Sequence, residues 1–213
     1  ISEDEVSEIC ECLLRLFIVL ELSDVGYSSS KFKTFLFSEN IKFVDKLVSI
    51  ETIKNGFNEH IAKNWNKKDL KEAILEYDKN LLVFLNEYIY AKNKAVKFDF
   101  AENVNVEHIM PASGRNIETI RQDAGIIKEE FNDIVNKLGN KILLEEDINK
   151  SIGNEWFKTK KQNSINSKSG YKDSRYAVAL ALISYPNDTW TKEDIDTATE
   201  KVAERIVTFI FNN

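Results

Sequence analysis

Three short pieces of this chain carry side chains that could act on a phosphodiester. The first is Val106-Glu107-His108-Ile109-Met110-Pro111. The second, some thirty residues on, is Leu138-Gly139-Asn140-Lys141-Ile142-Leu143-Leu144. The third is Asn149-Lys150. Hydrolysis of a phosphodiester needs a deprotonated water aimed at phosphorus, stabilisation of charge on the phosphate, and a substrate that is held still. A histidine titrates near neutrality and suits the first task. A hard divalent cation on oxygen ligands suits the second, because it keeps positions open for water and phosphate oxygens. Basic side chains suit the third. His108 is thus the candidate general base. Asn140 is a candidate acceptor for an imidazole N–H, fixing the tautomer of the ring. Asn149 has a side-chain oxygen that can ligate a metal.

These residues have to be brought together by local structure. Val104 and Val106 alternate with polar residues, which predicts a strand that Pro111 ends. Simple alternation turns Glu107 away from His108 unless the strand kinks there. Gly139-Asn140 predicts a turn into a second short strand over 141–144, and residues from 147 to about 161 read as a helix. A helix is also predicted within 115–137, with Ile120, Ile127, Phe131 and Ile134 as its buried row. Residues 171–185 form a further predicted helix stopped by Pro186, and Thr191 with Asp194 opens a last one that runs to Phe211. Upstream the texture is all-helical. Ser2 ahead of three acids caps a first helix that ends near 24–26. Residues 39–65 keep helical spacing with a break expected near Gly56, and 69–90 give a helix or helix pair. The expected fold is therefore mainly α, a helical scaffold around a small ββα-metal core. Its expected parts are an N-terminal helical region over 1–95 and a second region over 96–213, with the core at about 103–165.

The 213 residues are enough for one large domain or two small ones, and for a real core. No run of eighteen apolar residues exists, so no membrane span is expected, and the apolar stretch 13–22 lacks the basic leader of a signal peptide. The chain begins at Ile1 and its only methionine is Met110, so it reads as a piece of something longer. Cys10 and Cys12 are too few for a zinc site and are placed on different sides of a helix, which predicts reduced thiols and a cytoplasmic protein. The net charge of −6 argues against indiscriminate nucleic-acid binding, but its distribution matters more. Between Lys150 and Arg175 seven basic residues meet two acids, a local charge of +5. Lys150, Lys160 and Lys161 lie on this strip and are candidate DNA contacts. His60 sits in the same Glu-His-Ile tripeptide as His108, without the proline or the Gly-Asn turn, and is expected to be structural. Trp156, Phe157 and Trp190 are expected in the core rather than stacked on bases.

The order Glu107-His108, Asn140, Asn149 resembles the His-Asn-His, or ββα-metal, endonuclease motif. The nine-residue step from Asn140 to Asn149 is similar to that of the corresponding domain in RNA-guided CRISPR nucleases. The fuller pattern of Glu-His-Ile-x-Pro, Leu-Gly-Asn-x-x-Leu-Leu, Asn149, Asn154, Phe157 and Lys160 resembles the C-terminal nuclease domain of GmrSD-type, SspE-like, modification-dependent restriction proteins of anti-phage defence. That resemblance covers 105–161 best. It departs from the family at Ala112, where a polar residue is usual. It implies a Mg²⁺-dependent DNA endonuclease, with Mn²⁺ able to substitute, acting on double-stranded DNA. It also implies an N-terminal nucleotidase or sensor domain in the full-length protein. In its terms His108 is the base, Asn140 its support, Glu107 and Asn149 (or Asn154) the metal ligands, and Lys160 a holder of phosphate. The alternative is a DNA-binding or regulatory domain whose nuclease site has decayed.

Overall fold

A computed structural model describes residues 2–44, 48–99, 103–162 and 169–211. It is mainly helical, with a single two-stranded antiparallel sheet among the described residues. The chain divides into two compact units. The first holds Ile1–Tyr77 with Ile206–Asn213, and the second holds Asp78–Arg205.

In the first unit α1 (Glu3–Leu22) begins with a full capping box. The Ser2 hydroxyl accepts the Glu5 N–H and the Glu5 carboxylate accepts the Ser2 N–H, so two otherwise unmatched donors are satisfied. α2 (Lys33–Val44) and α3 (Ile50–Asn64) replace the single run expected over 39–65. The helix restarts at Ser49, whose hydroxyl accepts the Thr52 N–H, whereas Gly56 lies inside α3 without breaking it. α4 (Lys67–Glu76) follows. Leu16, Val19, Leu20, Ile53, Phe57, Ile61, Leu70 and Ile74 form the buried core of these helices. His60 is structural: its ring stacks on Phe35 at 3.8 Å and its Nε2 lies 2.6 Å from the Lys31 carbonyl. Cys10 and Cys12 are both free thiols.

In the second unit α5 (Leu81–Asn93) precedes β1 (Val104–His108). β1 pairs with β2 (Lys141–Glu145) in the register Val104 to Glu145 through His108 to Lys141. β2 is buried along its whole length and runs into α8 (Glu146–Ile152), which packs back across both strands. This is the ββα arrangement. α6 (Ile117–Asp123) and α7 (Phe131–Val135) stand where one helix was expected, the chain turning between them around Gly125 and Ile127. The helix expected from 147 to about 161 is likewise two, α8 and α9 (Phe157–Gln162). Gly153 separates them at φ 53°, a conformation that a Cβ would resist. A 3-10 turn (Tyr171–Asp173) and α10 (Ala177–Leu182) replace the continuous helix over 171–185, and α11 (Lys192–Phe211) closes the chain.

Candidate functional site

The hairpin owes its shape to Asn140. Its Oδ1 accepts the Met110 N–H at 2.8 Å, and its Nδ2 donates to the Met110 carbonyl at 2.9 Å and to the Val135 carbonyl at 2.8 Å. The Asn140 carbonyl also accepts the Ile109 N–H at 2.9 Å, which extends the ladder past His108. The Asn140 side chain is fully buried and makes no hydrogen bond to the imidazole. It fixes the two residues after His108 instead, and the expectation of a direct contact with the ring is corrected accordingly. The reason is saturation, because all three of its committed bonds go to backbone groups that would otherwise be buried and unmet.

Gly139 explains why the turn sits where it does. A Cβ there would lie 2.3 Å from the Thr199 nitrogen and 2.4 Å from the Ile195 carbonyl, so only glycine lets the turn press on α11. The Gly139 N–H donates to the Thr199 hydroxyl at 3.0 Å, and that hydroxyl donates in turn to the Ile195 carbonyl at 2.7 Å. The turn is thereby tied to a long helix.

His108, at the end of β1, is half-buried, and its Nε2 is buried without a hydrogen-bond partner. Burial holds its pKa below the usual histidine value. The ammonium of Lys141, its cross-strand partner, pushes the same way, while a hydrogen bond with the Asn136 side chain pulls it back up and Lys160 adds a smaller lowering. The ring is thus neutral at pH 7, the form in which a base can accept a proton. Asn136 is an exposed residue just after α7, and sequence reasoning passed it over. The only trace it left in the sequence is its position four residues ahead of Asn140.

Glu107, the neighbour of His108 on β1, is buried. Its Oε1 is in a buried ion pair with Lys160, and the Tyr171 hydroxyl lies 3.4 Å away. Lys160 Nζ also donates to the carbonyls of His108 at 2.8 Å and Ile109 at 3.3 Å. Burial raises the Glu107 carboxyl, with Lys160 opposing, and burial lowers the Lys160 ammonium, with Glu107 opposing.

The basic strip is corrected by this geometry. Lys160 is 0% exposed and Lys161 4%. Lys161 Nζ donates to the carbonyls of Tyr185 at 2.8 Å and Asn187 at 2.7 Å. Lys150 is exposed but pairs with Glu146, and Lys158 pairs with Asp188. Lys168 lies outside the described residues. The ammonium groups of Lys160 and Lys161 are therefore not presented to a phosphate backbone. Lys150 is the one of the three expected contacts at the surface.

Asn149 is half-buried on α8, with no side-chain hydrogen bond to a described residue. Asn154 is exposed and lies against the loop after Pro111, where a Cβ on Gly114 would come 2.8 Å from its own Cβ. As donors for a divalent cation these residues fit only in part. Either asparagine offers one neutral oxygen. The Glu107 carboxylate is already held at Oε1 by the Lys160 ammonium, which a cation would have to displace. Among the described residues no group of three His, Cys, Asp or Glu converges as a metal cage.

Trp190 and Phe157 are buried, with ring centroids 5.4 Å apart, and Tyr185 packs on both. No described helix is long and apolar enough to cross a membrane.

No curated protein matches this chain at a significant level, and no solved structure does. The family model of the GmrSD restriction endonucleases, C-terminal domain, matches residues 49–205, which include both strands, the Asn140 clamp and α8. With most of its length inside that match, the chain belongs to the C-terminal domain family of the GmrSD restriction endonucleases.

Proposed function

We propose that this chain is the DNA-cutting effector of a bacterial restriction system directed against phage, working as an endonuclease of the His-Asn-His type on double-stranded DNA. One observation carries the reading: a neutral imidazole whose buried Nε2 has no partner stands at the end of a hairpin held rigid by Asn140. In this mechanism His108 takes the proton of the attacking water once the ring has turned to open Nε2, which is buried in this structure. Asn140 and the Gly139 contact with α11 keep the strand end still, so the backbone that carries the ring does not have to be ordered during the reaction. The Lys141 charge beside His108 resists its protonation in the resting state. Lys150 would reach the DNA backbone from the surface once released from Glu146.

A divalent cation, Mg²⁺ or Mn²⁺, would neutralise charge on the phosphate when bound. Asn149 or Asn154 would be the protein's oxygen donor to it, with water and substrate filling the other positions. We propose further that the full-length protein carries an N-terminal nucleotidase or sensor domain and works in the cytoplasm, in keeping with two free cysteines.

The test is nicking of supercoiled plasmid with Mg²⁺ by the wild-type chain and by His108→Ala. Loss of at least about a hundredfold is expected for a general base. Equal rates would remove the mechanism. The second reading, a DNA-binding or regulatory domain with a decayed site, is favoured by the capture of Glu107 by Lys160. It requires DNA binding without cleavage under Mg²⁺ and Mn²⁺ alike.

A further inference from the structure

The second unit holds an open cleft of about 290 Å³ beside the start of β2, walled by α5, α10 and α11. Three cations line it: Lys141, Lys201 and Arg205. None of the three is in an ion pair with a described residue, although Lys137, Lys158, Lys160 and Lys192 of the same unit all are. Asp194 is the only acid in the lining, and its carboxylate is taken by the Tyr185 hydroxyl and by the N–H and hydroxyl of Thr191. Lys141 is 9% exposed, and burial lowers its pKa with only Asp78 opposing. Arg205 gives one N–H to Asn86 and lies 4.9 Å over the Tyr90 ring, with no further hydrogen bond to a described residue. Lys141 is buried and Arg205 half-buried beside this space, and Lys201 stands at its exposed edge. The Glu87 carboxyl is the acid that acts on Arg205, so the lining carries an excess of positive charge that an anion would offset.

The rest of the wall is aromatic. Tyr90, Tyr185 and Trp190 all contribute to it. Trp190 is 5% exposed, and its indole N–H is buried without an acceptor. Flat rings along one side of a small space suit a planar heterocycle stacked against them. The volume is near the lower end for small-molecule pockets and excludes a folded partner.

We propose that this cleft binds a nucleoside phosphate, the phosphate on Lys141, Lys201 and Arg205 and the base against the aromatic wall. Lys141 is the cross-strand partner of His108, so the cleft is joined to the hairpin end through Lys141, although His108 does not line it. The same chemistry has two sources. It can be a nucleotide of the substrate strand turned out of its stack next to the cut phosphate, or a free nucleotide that senses or regulates. The first source rests on the nuclease reading and the second does not.

The experiment is a fluorescence titration of the His108→Ala chain, so that binding is read without cleavage. Probes are a deoxynucleoside 5′-monophosphate, inorganic phosphate, and a short single-stranded oligonucleotide. Trp190→Phe identifies the reporter against Trp65 and Trp156. The expected result is a saturable change with the mononucleotide, lost in Trp190→Phe. Affinity should weaken by at least about tenfold in Arg205→Gln and in Lys201→Gln, each removing a charged donor. Lys201 is exposed, so its variant tests the site without endangering the fold. Phosphate alone should compete weakly. Competition by the oligonucleotide assigns the pocket to the substrate strand, and its failure assigns it to a free nucleotide. No saturable change at millimolar mononucleotide, or equal affinity in the charge variants with normal thermal unfolding, overturns the proposal. Cleavage without such binding would leave the nuclease reading standing, and binding without cleavage the reverse.

Discussion

Asn140 holds Met110 by both ends of its peptide groups, accepting the N–H at 2.8 Å and donating to the carbonyl at 2.9 Å. A side-chain amide here does what a neighbouring strand would do, at a place where the chain is leaving the sheet. Asn140→Ala would leave the Met110 N–H and the Met110 and Val135 carbonyls buried and unmet. Each such group costs about 1–3 kcal/mol, so a loss of several kcal/mol is expected in urea denaturation. Asn140→Asp keeps the acceptor for Met110 but sets a carboxylate oxygen against two carbonyls, and it should be no better than Ala. A loss below about 1 kcal/mol for either would show that the clamp is not structural.

The buried pair of Glu107 and Lys160 makes a sharper prediction. Lys160→Met leaves a carboxylate without its cation and two carbonyls without their donor. Removing one partner of a buried pair costs about 3–5 kcal/mol, whereas removing both together is often close to neutral. The double variant Glu107→Gln with Lys160→Met should therefore be more stable than Lys160→Met alone. Chemical denaturation of the two singles and the double measures this coupling. Additive losses would mean that Glu107 and Lys160 do not depend on each other.

This pair also shows where sequence reading stopped. The strands, their turn and the ββα order were legible because alternation ends at Pro111 and Gly139-Asn140 has few other local uses. The first helix was legible from Ser2 ahead of three acids. Lys160 was not, because a lysine at helical spacing looks the same whether its ammonium meets water or a carboxylate 53 residues away. The split of the expected helix at Gly153 and the role of Asn136 were hidden for a related reason. Both depend on which groups face them in space, and spacing along the chain does not encode that.

The cation follows from the same geometry. With Glu107 Oε1 taken by Lys160 and no group of three His, Cys, Asp or Glu converging among the described residues, no tight cation site is expected before substrate arrives. Mg²⁺ usually needs one or two carboxylates together with substrate phosphates. Calorimetry of the chain without DNA should therefore detect no Mg²⁺ binding below the millimolar range, while cleavage still requires Mg²⁺ and stops with chelator. Micromolar binding without DNA would mean that Lys160 gives way and Glu107 becomes a ligand.

For His108 the sign of the pH effect is fixed by its neighbours. Burial and Lys141 lower its pKa, so the base form persists to lower pH than in an ordinary histidine. The acid limb of kcat/KM for nicking should lie below pH 6.5, the ordinary value. Lys141→Met removes a positive charge and should move that limb upward. Asn136→Ala removes the contact that favours the charged ring and should move it down. Rates at constant ionic strength between about pH 5 and 8 decide the matter, and an unchanged limb in both variants would contradict this account of the ring's electrostatics.

Glu87 sets a pH dependence of stability in the same unit. Its carboxylate accepts the N–H groups of Ala177 at 2.5 Å and Val178 at 3.2 Å at the start of α10. Burial nevertheless pushes its pKa up to about 7, those two bonds and Arg205 opposing and Glu145 adding to the rise. A folded pKa above the unfolded one means that the native state holds the proton more tightly. The stabilisation is therefore complete below the ordinary carboxylate value of 4.5 and is lost as pH rises to about 7. The size of the effect is on the order of 3 kcal/mol. Thermal or urea unfolding should show stability falling over this window, and Glu87→Gln, which cannot ionise, should flatten the fall. If Glu87→Gln leaves the slope unchanged, the carboxyl is ionised throughout and the buried proton is not there.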